Sequence, residues 1–182
     1  QEHMRNGQYQ QALLRLDEAK AIDPKNVIAY VGEAVCYFHM RNYGRSLAAM
    51  EFVVRNDPEN AVYIGNRSMI LQAMGDNFGA IEGWNTVLKK LPEEIGALSS
   101  RAFLYGLVGN HKAAVADYDV LVRLDPMNSL HYVNRGVANY KLQKWPDAAR
   151  DATKAIELNP KTVDGYLLRA LSKALQNDVA GG

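Results

Sequence analysis

Apolar residues recur along this chain three and four positions apart, with polar residues between them. Between Ala97 and Val108, for example, Leu98, Ala102 and Tyr105 stay near one side of a helical wheel. This spacing predicts amphipathic helices, and no stretch keeps the alternation that is typical of a half-buried strand. The segments come in pairs separated by turns, so the pattern predicts an all-α chain of helix–turn–helix units.

A fixed period orders these helices. Five of the six prolines stand 34 residues apart, at Pro24, Pro58, Pro92, Pro126 and Pro160. Because proline is unfavourable in a helix interior, each should end the second helix of one unit before the next unit begins. With the proline at position 32, the full units span residues 27–60, 61–94, 95–128 and 129–162. We expect residues 1–26 to form a partial first repeat, mostly its second helix, and residues 163–182 a C-terminal capping helix, all within one solenoid domain.

Small residues recur in phase with the prolines. Positions 8 and 20 carry Ala, Ser or Gly in every unit. Two antiparallel helices approach closely only where small side chains face each other, so these positions predict the contact line within each pair. We expect the turn between the helices at position 15, because Gly7, Gly75 and Gly109 can take a left-handed conformation there. Pro146 suits the first turn of a second helix.

The period and the residue choice resemble the tetratricopeptide repeat (TPR) family, a helix–turn–helix unit with the pattern W-x2-L-G-x2-Y…A-x3-F…P. The resemblance covers nearly the entire chain. It implies a right-handed α-solenoid of stacked antiparallel helix pairs, a TPR-like superhelix. Two features depart from the family pattern. Position 7, commonly Leu, is Arg67, Arg101, Arg135 and Arg169, and in residues 129–162 position 11 is Asn139, with the aromatic shifted to Tyr140.

The arginines at position 7 form a row of charge that could bind a phosphate or carboxylate ligand. Position 23 carries Asp117 and Asp151, so the arginines could instead pair with acids within their own unit or in a neighbouring one. We favour this second interpretation, because a feature repeated with the structural period is often a repeated packing solution.

Composition changes this picture little. The 21 basic and 20 acidic residues give a net charge of +1, which indicates neither nucleic-acid binding nor attraction to an anionic membrane. No apolar run approaches the ~18–20 residues that a membrane span requires. Cys36 is the single cysteine, which excludes an internal disulfide and a thiolate metal cluster, and its apolar neighbours predict burial.

Motifs for catalysis are missing from the sequence. The four histidines lack metal-ligand spacing, and there is no glycine-rich phosphate loop, nucleophile elbow or Cys–His pair. We therefore expect no enzyme activity, cofactor or metal.

The resemblance also implies a binding surface. In the family, first helices line a concave face, chiefly through positions 2, 5, 9, 12 and 13, with position 6 nearby. Carried over, these positions give a candidate peptide groove of Val31, Val35, Phe38, Asn66, Met69, Phe103, Leu107, Val133, Asn134, Val137 and Tyr140. The Lys/Asn/Arg set by which chaperone-binding members hold a C-terminal carboxylate is missing, and the asparagine ladder of other members is present only in part. The mostly apolar groove favours an apolar peptide or an amphipathic helix.

We expect a non-enzymatic scaffold for protein–protein interaction. Two alternatives stay open: a self-assembly module that forms homo-oligomers through its repeat edges or groove, and a repeat domain cut from a larger enzyme or sensor. Tightly wound repeats, or residues upstream, could also fill the groove. The chain opens at Gln1 without an initiator Met, so we interpret it as a fragment or as a mature product that has lost a leader.

Overall fold

The computed structural model describes the backbone of residues 2–180 and the side chains of residues 7–176. Its described elements are ten α-helices: α1 (Glu2–Ile22), α2 (Val27–His39), α3 (Tyr43–Asn56), α4 (Ala61–Ala73), α5 (Asn77–Lys90), α6 (Ile95–Leu107), α7 (His111–Leu124), α8 (Ser129–Lys141), α9 (Trp145–Leu158) and α10 (Val163–Ala180). The all-α fold predicted from the hydrophobic pattern is confirmed.

The helices belong to two compact units. The first unit, Gln1–Leu91, holds α1 to α5, and the second, Pro92–Gly182, holds α6 to α10. In the first unit α2 packs on α3 and α4 on α5, while α1 contacts α2 and α3 contacts α4. In the second unit α6 packs on α7, α8 on α9 and α9 on α10, while α7 contacts α8. Each unit is therefore a stack of helix pairs, and their joining into one solenoid domain stays a prediction.

Helix ends follow from local residue choice. Each periodic proline lies two residues after the last residue of α1, α3, α5, α7 or α9, so the predicted role of the prolines is confirmed. The side chains before α2 to α8 accept hydrogen bonds from first-turn amides: Asn26, Asn42, Asn60, Asp76, Glu94, Asn110 and Asn128. At α9 the capping residue is Lys144, which makes no such bond, and Pro146 lies in the first turn as predicted.

The chain turns between paired helices at position 15, where the residue adopts a left-handed backbone conformation with positive φ. Gly75 and Gly109 have φ of 84° and 78°, which confirms their predicted role. Arg41 and Gln143 occupy the same position with φ of 59° and 60°, although they are not glycines. The prediction for Gly7 is wrong, because this residue lies inside α1. Glycine permits a left-handed turn without requiring one, and α1 is the first described helix, so no earlier described helix packs back against it.

The predicted contact line between paired helices is confirmed. Ala34 on α2 and Ser46 on α3 are both 0% exposed, and the Ser46 hydroxyl donates to the Ala34 carbonyl at 2.7 Å. Ala102 on α6 and Ala114 on α7 are equally inaccessible. These small residues let the helices approach closely, which leaves the opposite side of each first helix to form the candidate site.

Candidate functional site

Each unit leaves apolar side chains on its first helices open to solvent. Val35 on α2 and Met69 on α4 are 44% and 48% exposed, and Phe103 on α6 and Val137 on α8 are 50% and 42% exposed. All four occupy position 9 of their repeats, so the exposure follows the sequence period. We call Val35, Phe38, Asn66 and Met69 the α2/α4 face, and Phe103, Leu107, Asn134 and Val137 the α6/α8 face.

The α2/α4 face contains a pocket of about 190 Å³. All four residues of the face line this pocket, together with His39 and the buried Met50. The Phe38 ring packs against Tyr43 with 5.5 Å between ring centroids, which helps to fix the orientation of Phe38. The lining of the pocket is mostly apolar, so it suits the side chain of an apolar partner.

The α6/α8 face contains a second pocket, of about 230 Å³. Its four face residues again line the pocket, and Tyr118 reaches it from α7. His111 and Lys141 also line it, and Lys141 is exposed. Each unit thus places its predicted asparagine, Asn66 or Asn134, beside an apolar opening.

Three predicted groove residues lie in helix packing instead of the pockets. Val31 is half-buried against the core of the first unit. Val133 is only 4% exposed and packs with residues of α7 and α9. Tyr140 packs against the core beside Leu168, and its ring meets that of Trp145 at 4.9 Å between centroids. Position 5 at Val31 and Val133, and position 12 at Tyr140, therefore contribute less open surface than position 9, whereas Phe38 at position 12 lines the α2/α4 pocket.

Gly106 and Tyr118 are among the residues that line the α6/α8 pocket without belonging to the candidate groove listed above. Gly106 occupies position 12, where α2 carries Phe38 and α8 carries Tyr140. Tyr118 lies on the second helix of the pair and is 5% exposed. Position 12 belongs to the groove pattern that the family resemblance implies, so Gly106 could be placed from the repeat alignment, whereas Tyr118 could not.

The arginine row is paired, as the favoured interpretation predicted. Arg101 Nη2 lies 2.6 Å from Asp117 Oδ1 within one repeat. Arg67 Nε lies 2.6 Å from Glu51 Oε1 of the preceding repeat. Hydrogen bonding to Asp117 raises the pKa of Arg101, and partial burial of the guanidinium opposes the increase. These side chains therefore join neighbouring helices.

Arg135 has two acidic partners. It contacts Asp151 of its own repeat and Asp119 of the preceding one, through Nη2 and Nη1 at 2.6 Å and 2.9 Å. Arg169 has no ion pair among residues 7–176, and its guanidinium lies over the Tyr166 ring, 5.4 Å from the centroid. Three of the four arginines are thus held by carboxylates, and the prediction of a structural row is confirmed for them.

The described residues contain little that could support catalysis. Cys36 is buried as predicted, and burial raises the pKa of its thiol, which disfavours the nucleophilic thiolate. Among the residues that the structure describes, no group of three His, Cys, Asp or Glu side chains could hold a metal ion. In the same part of the chain, no helix has the length and apolar character needed to cross a membrane.

These features define an α-helical repeat protein. Its helices come in pairs, the same residue pattern recurs every 34 residues, and each unit has one open apolar face. Two family models match the sequence, over residues 3–66 and residues 104–161, and both describe the tetratricopeptide repeat. The chain belongs to the tetratricopeptide repeat family, as the resemblance predicted.

Known proteins of this family share parts of the sequence. Human tetratricopeptide repeat protein 6 is 27% identical over 122 residues, which cover 67% of this chain and 23% of the relative. The human mitochondrial import receptor subunit TOM70 is 37% identical over 79 residues, which cover 41% of this chain and 13% of the receptor. The matched region thus spans less than a quarter of the length of these curated relatives.

A solved structure shows the same fold. The crystal structure of YrrB, described as a TPR protein with an unusual peptide-binding site, aligns with a TM-score of 0.81 and 18% sequence identity. The alignment covers 90% of this chain and 84% of YrrB. At this identity the similarity establishes the helical repeat fold alone.

Proposed function

We propose that this chain is a non-enzymatic protein-interaction scaffold that holds an apolar peptide or an amphipathic helix on the exposed faces of its first helices. The observation that carries the proposal is the half-exposed apolar residue that each full repeat presents at position 9: Val35, Met69, Phe103 and Val137. Contiguous apolar surface that a fold leaves exposed usually marks an interaction site. Family membership supports a scaffold, and the peptide-binding site named for YrrB supports a peptide ligand.

The chemistry of the faces favours a partner that is recognised by apolar contacts. Val35, Met69, Phe103 and Val137 offer hydrocarbon and aromatic surface, and its burial stabilises a complex by ~25 cal/mol per Å². An amphipathic helix presents apolar residues three and four positions apart, which is the form of ligand that an apolar groove accepts. Asn66 and Asn134 add amide groups that can hydrogen-bond to a peptide backbone.

The test uses a peptide selected from a random display library on the wild-type chain. Its affinity is measured for wild type and for the double variant Phe103→Glu with Val137→Glu. Two charges placed in the α6/α8 face should weaken binding roughly tenfold or more, because each removes apolar burial and brings a carboxylate that must be desolvated. Circular dichroism verifies that the helical content is unchanged.

The matched control is Phe78→Glu with Met127→Glu. These residues are 71% and 75% exposed and line neither pocket, so the control adds the same charge away from both faces. Wild-type affinity in the control and lost affinity in the α6/α8 variant support the proposal. A double variant that binds the peptide as well as wild type would refute it.

A second candidate function is self-assembly through the ends of the repeat array. Leu14 and Ile22 on α1 are 66% and 88% exposed, and Val163 and Leu167 on α10 are 76% and 57% exposed. The exposed surface of α10 is thus more apolar than a polar capping helix would be. Such surfaces could pair between copies. Light scattering that gives the monomer mass of 20.2 kDa over a wide concentration range would exclude this candidate.

The match covers only a small part of each relative, and this supports a third candidate function. A segment that matches less than a quarter of its relatives could serve as the repeat domain of a larger enzyme or sensor.

A further inference from the structure

The helix α10 repeats the residue pattern by which α8 contacts the second helix of its own repeat. Positions 4, 7 and 8 are a tyrosine, an arginine and a small residue in both helices: Tyr132, Arg135 and Gly136 in α8, and Tyr166, Arg169 and Ala170 in α10. In both helices the guanidinium lies over the tyrosine ring, 5.7 Å from the centroid in α8 and 5.4 Å in α10. α10 therefore carries the contact surface of a first helix.

The two equivalent surfaces differ in what covers them. Tyr132 is 8% exposed and packs on α9, whereas Tyr166 is 46% exposed. Gly136 is likewise buried, whereas Ala170 is exposed. α10 packs on α9 and α8 through its other side, where Leu168 is 6% exposed. We define the outer face of α10 as Val163, Tyr166, Arg169 and Ala170.

Arg169 is a position-7 arginine without a carboxylate. Arg135 shows the two places in the repeat from which an acid reaches this position: Asp151 at position 23 of the following helix and Asp119 at position 25 of the preceding helix. The helix before α10 is α9, and it carries Thr153 at position 25. Arg169 is half-buried and has no ion pair among the described side chains. A carboxylate for Arg169 should therefore come from position 23 of a helix that packs on the outer face.

We infer that the outer face of α10 binds a helix of a partner protein that carries a small residue and, three positions later, Asp or Glu. The small residue faces Ala170 at position 20, and the acid pairs with Arg169 at position 23. Two second helices of this chain have the same pattern: Ala114 and Asp117 in α7, and Ala148 and Asp151 in α9. The outer face lines neither the α2/α4 pocket nor the α6/α8 pocket, so this second surface goes beyond the proposed function.

Apolar contact and charge have separate roles at the outer face. Val163 and Tyr166 are 76% and 46% exposed, and a covering helix would remove their apolar surface from water. The ion pair to Arg169 adds selectivity, because a partner without the acid, or with a positive charge in its place, leaves the guanidinium unpaired or repelled. The face should therefore discriminate between helices of similar hydrophobicity.

Charge argues against a second copy of this chain as the occupant. α1 is a second helix by its place in the repeat, and no first helix precedes it among the described residues. It has Ala12 at position 20 but Arg15 at position 23. If α1 of a second copy packed on α10 in the register of the other pairs, it would bring Arg15 to Arg169. Like charges at such a contact oppose association, so a partner helix with an acid is favoured.

The probe is a synthetic peptide with the sequence of residues 143–160, which includes all of α9 and its acid Asp151. In the folded chain α9 covers the equivalent surface of α8. A free helix of this length is marginal in water, so the peptide is held helical by a lactam between Lys154 and the glutamate of Arg150→Glu. Both positions are exposed on α9, so the lactam lies outside the contact surface.

The affinity of the labelled peptide for the whole chain is measured by fluorescence anisotropy. We expect wild type to bind the peptide and Arg169→Glu to bind it roughly tenfold or more weakly, because the substitution places two carboxylates together. A second peptide with Asp151→Arg should bind wild type as weakly. This second peptide should regain most of the lost affinity when it is combined with Arg169→Glu, which a merely structural role of Arg169 would not produce.

Two controls locate the binding. Lys112→Glu reverses an exposed charge on α7, outside the outer face, and should keep wild-type affinity. Phe103→Glu with Val137→Glu should also keep it, because these residues belong to the α6/α8 face. Loss of the peptide in either control would overturn the assignment, since binding would then depend on overall charge or on the α6/α8 face.

The remaining outcomes also decide the question. Failure of wild type to bind the first peptide would reject the partner helix, as would equal binding by Arg169→Glu or an absence of rescue by the charge-reversed peptide. A dimer of wild type in light scattering that Arg169→Glu dissociates would assign the outer face to a second copy and overturn the partner helix.

Discussion

Arg135 on α8 and Asp151 on α9 are separated by 16 residues, and their side chains meet with Arg135 Nη2 2.6 Å from Asp151 Oδ1. The Arg135 Nε also donates to the same carboxylate, so the contact is bidentate. Asp151 is 4% exposed, and burial of a carboxylate is tolerated only when the charge is paired. This contact explains how the repeat accommodates an arginine where the family commonly has leucine.

Replacement of Arg135 should therefore destabilise the fold more than replacement of an unpaired arginine. Arg135→Met leaves the Asp151 carboxylate buried, and among the described side chains the Asn139 amide alone then donates to it, at 3.3 Å. We expect a loss of about 3 kcal/mol in unfolding free energy, measured by urea denaturation. Arg169→Met is the matched control, since Arg169 has no ion pair among the described side chains, and it should change stability by less than about 0.5 kcal/mol. Equal losses in the two variants would contradict this account.

Glycine should stabilise the protein at two of the turns between paired helices. Arg41 and Gln143 adopt φ of 59° and 60°, a region that costs a residue with a Cβ roughly 1 kcal/mol and costs glycine almost nothing. Glycine also loses more entropy on folding, so we expect Gln143→Gly and Arg41→Gly each to stabilise the chain by about 0.5 kcal/mol. Thermal unfolding measures the change. The reciprocal variant Gly109→Gln should destabilise the protein, and an opposite order would show that the turn is not limited by backbone strain.

The start of α9 should respond to a capping residue. Lys144 stands where α3, α5 and α7 have Asn42, Asp76 and Asn110, and it makes no side-chain bond to the helix. Lys144→Asn should stabilise the protein by about 1 kcal/mol, because the new side chain can accept from a first-turn amide and a positive charge leaves the helix N-terminus.

The same substitution in the reverse direction is its control. Asn110→Lys removes the bond from the Ala113 amide to Asn110, so it should cost a similar amount in unfolding free energy. If both variants are neutral, Pro146 and the packing of the helices, and not the caps, determine where these helices begin.

Much of this architecture could be predicted because the same pattern of small and large residues recurs in every repeat. The positions of Ala34 and Ser46 could be assigned from phase alone, since the close approach of two helices tolerates only small residues. The open face could also be predicted in outline, because Val35, Met69 and Phe103 share one position in the repeat. The position of a residue in the repeat therefore predicts both the core and the candidate surface.

Features that depend on neighbouring helices could not be predicted in this way. Val133 belongs to the predicted groove, but it packs with residues of α7 and α9 and is buried. Tyr118 lies on a second helix, α7, and lines the α6/α8 pocket although it is not part of the predicted groove. Gly7 is a glycine at the predicted turn position, yet it lies within α1. In each case the outcome depends on which helix packs alongside, and a local pattern does not contain that information.

The buried phenol of Tyr118 should make stability depend on pH in the alkaline range. Its pKa is raised to about 12 in the folded chain, chiefly by burial and secondly by the Asp117 carboxylate, whereas an unfolded tyrosine titrates near ~10. Because the folded state favours the protonated phenol, the stabilisation is fully present below pH ~10 and is lost as the pH rises through about 12. A shift of this size corresponds to roughly 2 kcal/mol of unfolding free energy at pH ~12.

Urea denaturation at pH ~8 and pH ~12 measures this effect. Between the two pH values, wild type should lose roughly 2 kcal/mol more unfolding free energy than Tyr118→Phe does. The control Tyr166→Phe changes a tyrosine that is 46% exposed, and it should lose as much as wild type. Parallel losses in wild type and Tyr118→Phe would show that the Tyr118 hydroxyl is not desolvated in the folded protein.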